Sequence, residues 1–450
     1  MRLSGRIIKL LALAFCLLSP LSVRADDGAT SSYSPYSIFG IGDLIIPGTA
    51  YNHSMGGVGI ANRNRKYLNP LNPASVTARD TLAFMADFSV HGENKYFRQG
   101  DVRSAHNTFN VNDCIISFPI WRSSAMMVGV RPLSSTGFAY RTEYTDPAII
   151  GKTGKISYEA EGNGGLYQVF LGAGVTFWKR LSLGAEASYT FGNIRKQFSQ
   201  SFADASYSGA NTYYELSLRA LTGKVGLQYE QPLGKRAKLC IGATYGFGNA
   251  IGGFVEKYKL STSTAASDTL FMHIDTLAQC SPKPRLANEL GVGISLRVDD
   301  KWMLEFDYTR SDWRKSNFDN AASQFEAFNG NTSVISGKSI FSTTVSESFR
   351  LGFELVPNRN DIRYYMRTCA YRAGLYYKRD YFKLDGNDIH AFGLTLGMTL
   401  PVFRWHNGLT VALDVGQRGS VANNLIRERY VNFSVGLNIY DIWFQKPRYE

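Results

Sequence analysis

Tyr430-Val431-Asn432-Phe433-Ser434-Val435-Gly436-Leu437-Asn438-Ile439-Tyr440-Asp441-Ile442-Trp443-Phe444 is an alternating run that ends on two aromatics close to the C-terminus. Apolar side chains fall on odd positions from Phe433 to Ile439, with Ser434, Gly436 and Asn438 between them. A two-residue period sends the two sets to opposite faces of a strand, one suited to lipid and the other to a polar lumen. Aromatic rings at a strand end suit the membrane-water boundary. The run reads as the closing strand of an outer-membrane β-barrel, although a soluble sheet can share the pattern.

The other end of the chain sets the compartment. Arg2, Arg6 and Lys9 precede the apolar run from Leu10 to Leu18, and Val23-Arg24-Ala25 offers small residues for cleavage, so residues 1–25 read as a removed signal peptide. Phe15 before Cys16 fits a lipoprotein signal badly. No later run is long and apolar enough for a membrane helix, yet a barrel needs only alternate apolar residues and keeps mean hydropathy low. Aromatics at 13% and 43 glycines favour many short strands joined by tight turns.

Charge and cysteine usage exclude several functions. The net charge of +12 includes the signal's Arg2, Arg6, Lys9 and Arg24, leaving +8 on scattered basic residues, which argues against nucleic-acid binding. Anionic lipid headgroups or surface polysaccharide account for the excess equally well. Cys114, Cys240, Cys280 and Cys369 form no CxxC pair, and the histidines never take helical ligand spacing, so neither a metal nor a cofactor is expected. No local signature sets up a Ser, His and carboxylate, so the chain is read as non-enzymatic.

Three regions follow the signal. Residues 26–79 carry Pro35, Pro47, Pro70 and Pro73, many glycines and the apolar Ile38, Phe39, Ile41, Leu44, Ile45 and Ile46. An irregular segment this apolar must bond its backbone in protein or in a wet lumen, so a plug inside a barrel is expected. From residue 80 to 444 strand and turn alternate. Val169, Leu171, Ala173 and Val175 interleave with Gly172 and Gly174 before a turn at Trp178-Lys179-Arg180, and Leu290, Val292 and Ile294 interleave with Gly291 and Gly293 before a turn at Asp299-Asp300-Lys301. About fourteen strands are expected, starting near residue 81 and ending near 444, with 192–211, 249–285 and 311–344 as surface connections. Residues 445–450 form a short tail.

Several motifs carry a family resemblance. Met55-Gly56-Gly57-Val58-Gly59-Ile60-Ala61 followed by Asn72-Pro73-Ala74 is similar to the glycine-rich stretch and Asn-Pro-Ala of the hatch in FadL-type outer-membrane barrels, the long-chain fatty-acid transporters. Gly164-Gly165-Leu166, Asp307-Tyr308 and Tyr371-Arg372-Ala373-Gly374-Leu375-Tyr376 match the barrel. Ser34-Pro35-Tyr36-Ser37-Ile38-Phe39-Gly40-Ile41-Gly42-Asp43, with Gly416-Gln417-Arg418-Gly419 and Ile426-Arg427-Glu428-Arg429-Tyr430, resembles a Bacteroidota branch that includes accessory and plug proteins of the type IX secretion translocon.

The resemblance implies a hatch that blocks the lumen and passage of a hydrophobic small molecule past it, or a role as accessory or plug subunit of the translocon. Expected hatch residues are Phe39, Gly40, Gly42, Asp43, Met55, Gly56, Gly57, Asn72, Pro73 and Ala74. Arg372, Arg418 and Glu428 are candidates for the lumen. Arg418 reads equally as a charge paired with Glu428 or Asp43 and as a solvated rim residue.

Overall fold

The computed structural model describes residues 32–80, 82–121, 123–144, 147–151, 153–204, 206–262, 269–277, 279–320, 325–330, 340–402 and 408–442. Residues 1–25, expected from sequence to be a signal peptide, the last aromatics Trp443 and Phe444, and residues 445–450 lie outside them.

The alternation runs as strand nearly throughout. A two-residue strand β1 (Asp43–Leu44) precedes β2 (Ala83–Gln99), β3 (Val102–Trp121), β4 (Ser124–Tyr144), β5 (Ile156–Phe177), β6 (Leu181–Phe202), β7 (Gly209–Leu233), β8 (Ala237–Phe247), β9 (Gly252–Thr262) and β10 (Thr269–Thr276). There follow β11 (Glu289–Val298), β12 (Trp302–Asp312), β13 (Phe341–Thr343), β14 (Val345–Leu355), β15 (Ala370–Leu384), β16 (Asn387–Pro401), β17 (Gly408–Arg418) and β18 (Arg427–Ile442). Neighbours pair antiparallel, and β18 returns to β2 from Arg427↔Arg98 to Ile442↔Ala83, closing the wall. β8 with β9 pairs along β7, β10 and β11 pair with that same interrupted strand, and β13 with β14 pairs along β15. Each couple is one broken stave, so the barrel has fourteen.

The faces separate by chemistry. In β18 the even positions Glu428, Tyr430, Asn432, Ser434, Asn438 and Tyr440 are buried, while Val431, Phe433, Leu437 and Ile439 face outward. In β6 Ser182, Glu186, Ser188 and Thr190 turn in and Leu183, Tyr189 and Phe191 turn out. Outward Leu, Val, Ile and Phe side chains continue around the wall, and Trp121, Phe177 and Trp178 mark one rim. An apolar outer belt on a closed barrel is the solution for a membrane-spanning sheet, because no backbone edge is left in lipid. The protein is an outer-membrane β-barrel. The aromatic rim carries the short turns and is therefore the periplasmic one. At two of these turns, Trp178-Lys179 and Asp299-Asp300, consecutive residues take positive φ, the primed hairpin geometry that matches strand twist.

Two expected surface connections fold differently. Residues 192–202 extend β6, with Ile194, Lys196 and Phe198 pointing inward, and 249–285 contains the β9–β10 hairpin. Both segments keep a two-residue alternation beyond the membrane belt, which polar composition masks. In the connection after β12, Phe318, Phe325 and Phe328 are fully buried, with Phe318 stacked on Phe328, Phe325 tilted against Phe328 and Trp313 beside Phe318. Three phenylalanines in a Ser/Asn-rich loop gain more from turning into the barrel mouth than from facing water. All four cysteines among the described residues are free thiols.

Candidate functional site

Residues 32–80 are packed inside the wall, and the lower part is seated by glycines. The backbone at Gly56 meets Gly374, that at Pro73 meets Gly184, and Ile60 O meets Gly242, each so closely that a Cβ on the wall glycine would overlap backbone atoms. The interleaved glycines of the strands therefore make room for a second chain at backbone distance.

Polar groups fix its position. Asp307 Oδ2 accepts Gly59 N at 2.7 Å and Ile60 N at 3.0 Å, and Glu305 Oε1 accepts Ala61 N at 3.0 Å, so two β12 carboxylates hold three consecutive amides. Arg350 donates to Gly57 O at 3.0 Å, and Thr395 Oγ1 accepts from Gly56 N at 2.7 Å. Met55 is fully buried nearby. Asn72 caps the 3-10 turn Pro73–Thr77 by accepting from Ala74 N at 3.0 Å, and its Nδ2 donates to Ile60 O at 2.8 Å. Arg372 on β15 bonds Glu354 at 2.9 Å and lies over the rings of Tyr51 and Tyr67, so its charge is enclosed between wall and segment.

The upper part, residues 33–46, forms a strap with a different task. Across the wall β2 pairs with β3 from Met85↔Ser117 to Gln99↔Val102, but β3 meets β4 only from Cys114↔Val130 to Trp121↔Ser124. Beyond that point the two strands part. Pro132 sits at a bulge where β4 loses this neighbour, as fits a residue without an N–H, and the β2–β3 register slips opposite Asn112. Asn112 turns inward and donates to Gly48 O at 3.1 Å.

The strap supplies the bonds that β3 withholds. Asp43 and Leu44 pair with Ser135 and Ser134, Ile45 N donates to Leu133 O at 3.0 Å, and Ser34 N donates to Gly137 O at 2.7 Å. Tyr33 bridges the opening: its hydroxyl donates to Ala139 O on β4 and its ring stacks on His106 of β3 at 3.5 Å.

A charged latch holds the strap from the far side. Arg418 Nη1 lies 2.9 Å from Asp43 and 3.5 Å from Glu428, its Nε lies 2.6 Å from Asp380, and its guanidinium covers the Tyr36 ring. Glu428 accepts from Ser34 Oγ. A register shift between Arg379 and Lys383 falls at Asp380, Tyr381 and Phe382, and the Tyr381 hydroxyl donates to Gly42 O at 2.7 Å. Phe39 stacks on Phe341, and Gly40 N donates to Phe328 O at 2.6 Å. Lys196, buried on β6, donates to Ile38 O and Ala327 O, both at 2.7 Å, tying strap to the inward loop. Arg418 thus lies against the strap, paired with Asp43, Asp380 and Glu428. Tyr33, Asn112, Pro132 and Lys196 were not singled out from sequence, and only Pro132, a proline inside an alternating run, carried a local signal.

Two spaces border the strap. A cavity of about 190 Å³, lined by both charged and apolar side chains, lies between residues 43–57 and the wall and reaches Val111, Pro132 and Tyr167 at the β3–β4 opening. A mostly apolar pocket of about 800 Å³ lies at the outer mouth, lined by Tyr33, Tyr36, Phe39, Phe97, Tyr140 and Leu425.

The family model BamG matches residues 7–450. The chain belongs to the BamG family. Solved structures similar to this BamG-family barrel include the CymD monoaromatic hydrocarbon channel, with a TM-score of 0.57 at 13% identity over 87% of this chain and 97% of that one. The toluene transporter TbuX of Ralstonia pickettii is similar at 0.56 and 14% identity, over 87% and 97% of the two chains. A Pseudomonas aeruginosa FadL homologue is similar at 0.54 and 11% identity, over 88% and 99%. At these identities the likeness is one of fold, and it is the FadL-type fold. A search of curated proteins finds no match.

The segment also carries a pH dependence. His53 in the helical turn Ala50–His53 bonds Ile46 O at 3.1 Å, and burial, with His91 and Arg350 nearby, holds its pKa down to about 3 from 6.5. A released segment takes up a proton below pH 6.5 that the docked one refuses. Docking is therefore unaffected above pH 6.5 and weakens as pH falls towards 3. At pH 5 the loss is at most about 2 kcal/mol, reduced by access from the cavity. Hydrogen exchange of residues 46–57, corrected for intrinsic rates, should accelerate between pH 7 and pH 5, and His53→Gln should abolish the acceleration. An equal response in that variant would assign the effect elsewhere.

Proposed function

We propose that this barrel lets hydrophobic small molecules cross the outer membrane through the opening between β3 and β4, with the N-terminal segment as a hatch and its strap as the gate. The observation that carries this reading is the parting of β3 and β4 above Cys114 and Val130, where the freed edge of β4 is bonded by the strap rather than by β3. A wall built only for closure would pair β3 with β4 along its length, since unpaired backbone in lipid is costly. The apolar outer pocket would receive the solute, and strap displacement would open the way sideways. Solved barrels of the same fold described as a monoaromatic hydrocarbon channel and a toluene transporter support the solute class.

The test is a reversible lock. Leu44 and Ser134 are register partners, so Leu44→Cys with Ser134→Cys places two thiols at disulfide distance across the gate. In cells that carry only this variant, entry of a fluorescent hydrophobic dye should fall by roughly tenfold on oxidation and return on reduction. Entry that is indifferent to the lock would overturn the proposal. If deletion of the gene left dye entry intact and instead blocked protein secretion, the accessory role in a type IX translocon would replace it.

A further inference from the structure

Resting on that transport reading, we infer that the carboxylate-bearing cavity behind the gate takes the head group of a cationic amphiphile, an alkylammonium-type molecule whose apolar chain lies in the opening towards lipid. The charge around the cavity is unequal. Lys95 pairs with Glu93 at 2.9 Å, Lys378 with Asp380 at 3.4 Å, and Arg418 divides itself among Asp43, Asp380 and Glu428. Five carboxylates therefore meet three cationic side chains, the fifth being Asp414. Among the described residues Asp414 has no ion pair; it accepts from the Tyr376 hydroxyl, at 2.9 and 3.1 Å, and from the Asn432 side chain.

Two further acceptors point the same way. Asn432 Oδ1 and Ser134 Oγ line the cavity on residues that are 7% and 2% exposed, and neither atom has a hydrogen-bond partner among the described residues. Asn432 is the register partner of Asp414, and Glu428 follows four residues earlier on the same strand face, so the acceptors gather on the β17–β18 pair. An ammonium group brings three donors and one positive charge to such a cluster. A carboxylate head would face excess negative charge, and a plain hydrocarbon would leave the buried acceptors unsatisfied. Val111, Pro132 and Tyr167, where the cavity meets the opening, and Leu44, Ile45 and Ile46 of the strap give the chain of the molecule an apolar path.

The test is a competition. The purified full barrel in nanodiscs of zwitterionic lipid is offered equal amounts of dodecylamine, dodecanol and dodecanoate at neutral pH. Ligand is then released from the mass-selected complex and identified, with empty nanodiscs as blank. The amine should be enriched roughly tenfold over the alcohol and further over the carboxylate. Asp414→Asn and Glu428→Gln, each checked for the heat-dependent gel shift of a folded barrel, should each cut that preference. Alcohol or carboxylate retained as well as the amine would overturn the cationic class and leave the transport reading standing. Retention of none of the three would remove both. An amine preference untouched by either substitution would place the amine elsewhere and also overturn the inference.

Discussion

Arg418→Ala should release the strap at a cost of about 3–5 kcal/mol, the usual penalty for removing one partner from a buried ion network. In the native barrel the guanidinium meets Asp380 at 2.6 Å and Asp43 at 2.9 Å while Glu428 stands at 3.5 Å, and its face covers Tyr36. Without it three carboxylates converge on one space, with Lys378 beside Asp380 as the nearest remaining partner. Glu428 and Asp380 belong to the rigid wall, whereas Asp43 belongs to the strap, so the strap is what gives way. Residues 33–46 should then exchange amide hydrogen far faster and become open to protease, while the barrel keeps its heat-dependent gel shift. Arg418→Lys should fall between, because an ammonium keeps the charge but cannot hold Asp380 and Asp43 with a planar fork. Native-like protection in Arg418→Ala would show that the strap's bonds to β4, Tyr381 and Lys196 secure it without the latch.

The second large effect is steric. At Gly374 an added Cβ would lie 2.3 Å from both Gly56 N and Met55 C. These are backbone atoms, Gly56 N already bonded to Thr395 and the neighbouring Gly57 O to Arg350, and they cannot swing aside as the end of a side chain can. Gly374→Val should lift residues 55–57 off the wall for about 3 kcal/mol or more of overpacking. Gly223→Val is the control, since its Cβ would meet nothing closer than 3.5 Å. Exchange across residues 52–62 should rise sharply in the first variant and stay native in the second. Equal behaviour of the two would remove close seating as the reason for glycine at 374.

Both effects concern what lies inside the wall, and that is where sequence reading was least complete. The alternation from Tyr430 onward, the glycines between apolar residues and the turns at Trp178-Lys179 and Asp299-Asp300 are local signals. Each depends on neighbours one to four residues away, so barrel, strand number and the lipid-facing set could be read from them. Even the lumenal glycines were visible as a pattern, though not their purpose. The segment 26–79 announced itself by prolines and unsatisfied apolarity, and its Asn72 cap needed only Ala74 two residues on.

The rest required strands to be placed around a circle. Asp43, Asp380, Arg418 and Glu428 are scattered over nearly the whole chain, and only the stagger of β15, β17 and β18 brings them to one strap. The parting of β3 from β4 is likewise a matter of pairing between strands, which no alternation within either strand records. The amino-acid sequence determined by itself which residues face lipid, because that choice repeats every second residue. Where the wall opens, and what fills the opening, was decided by tertiary structure, because both depend on an N-terminal segment seated against distant strands.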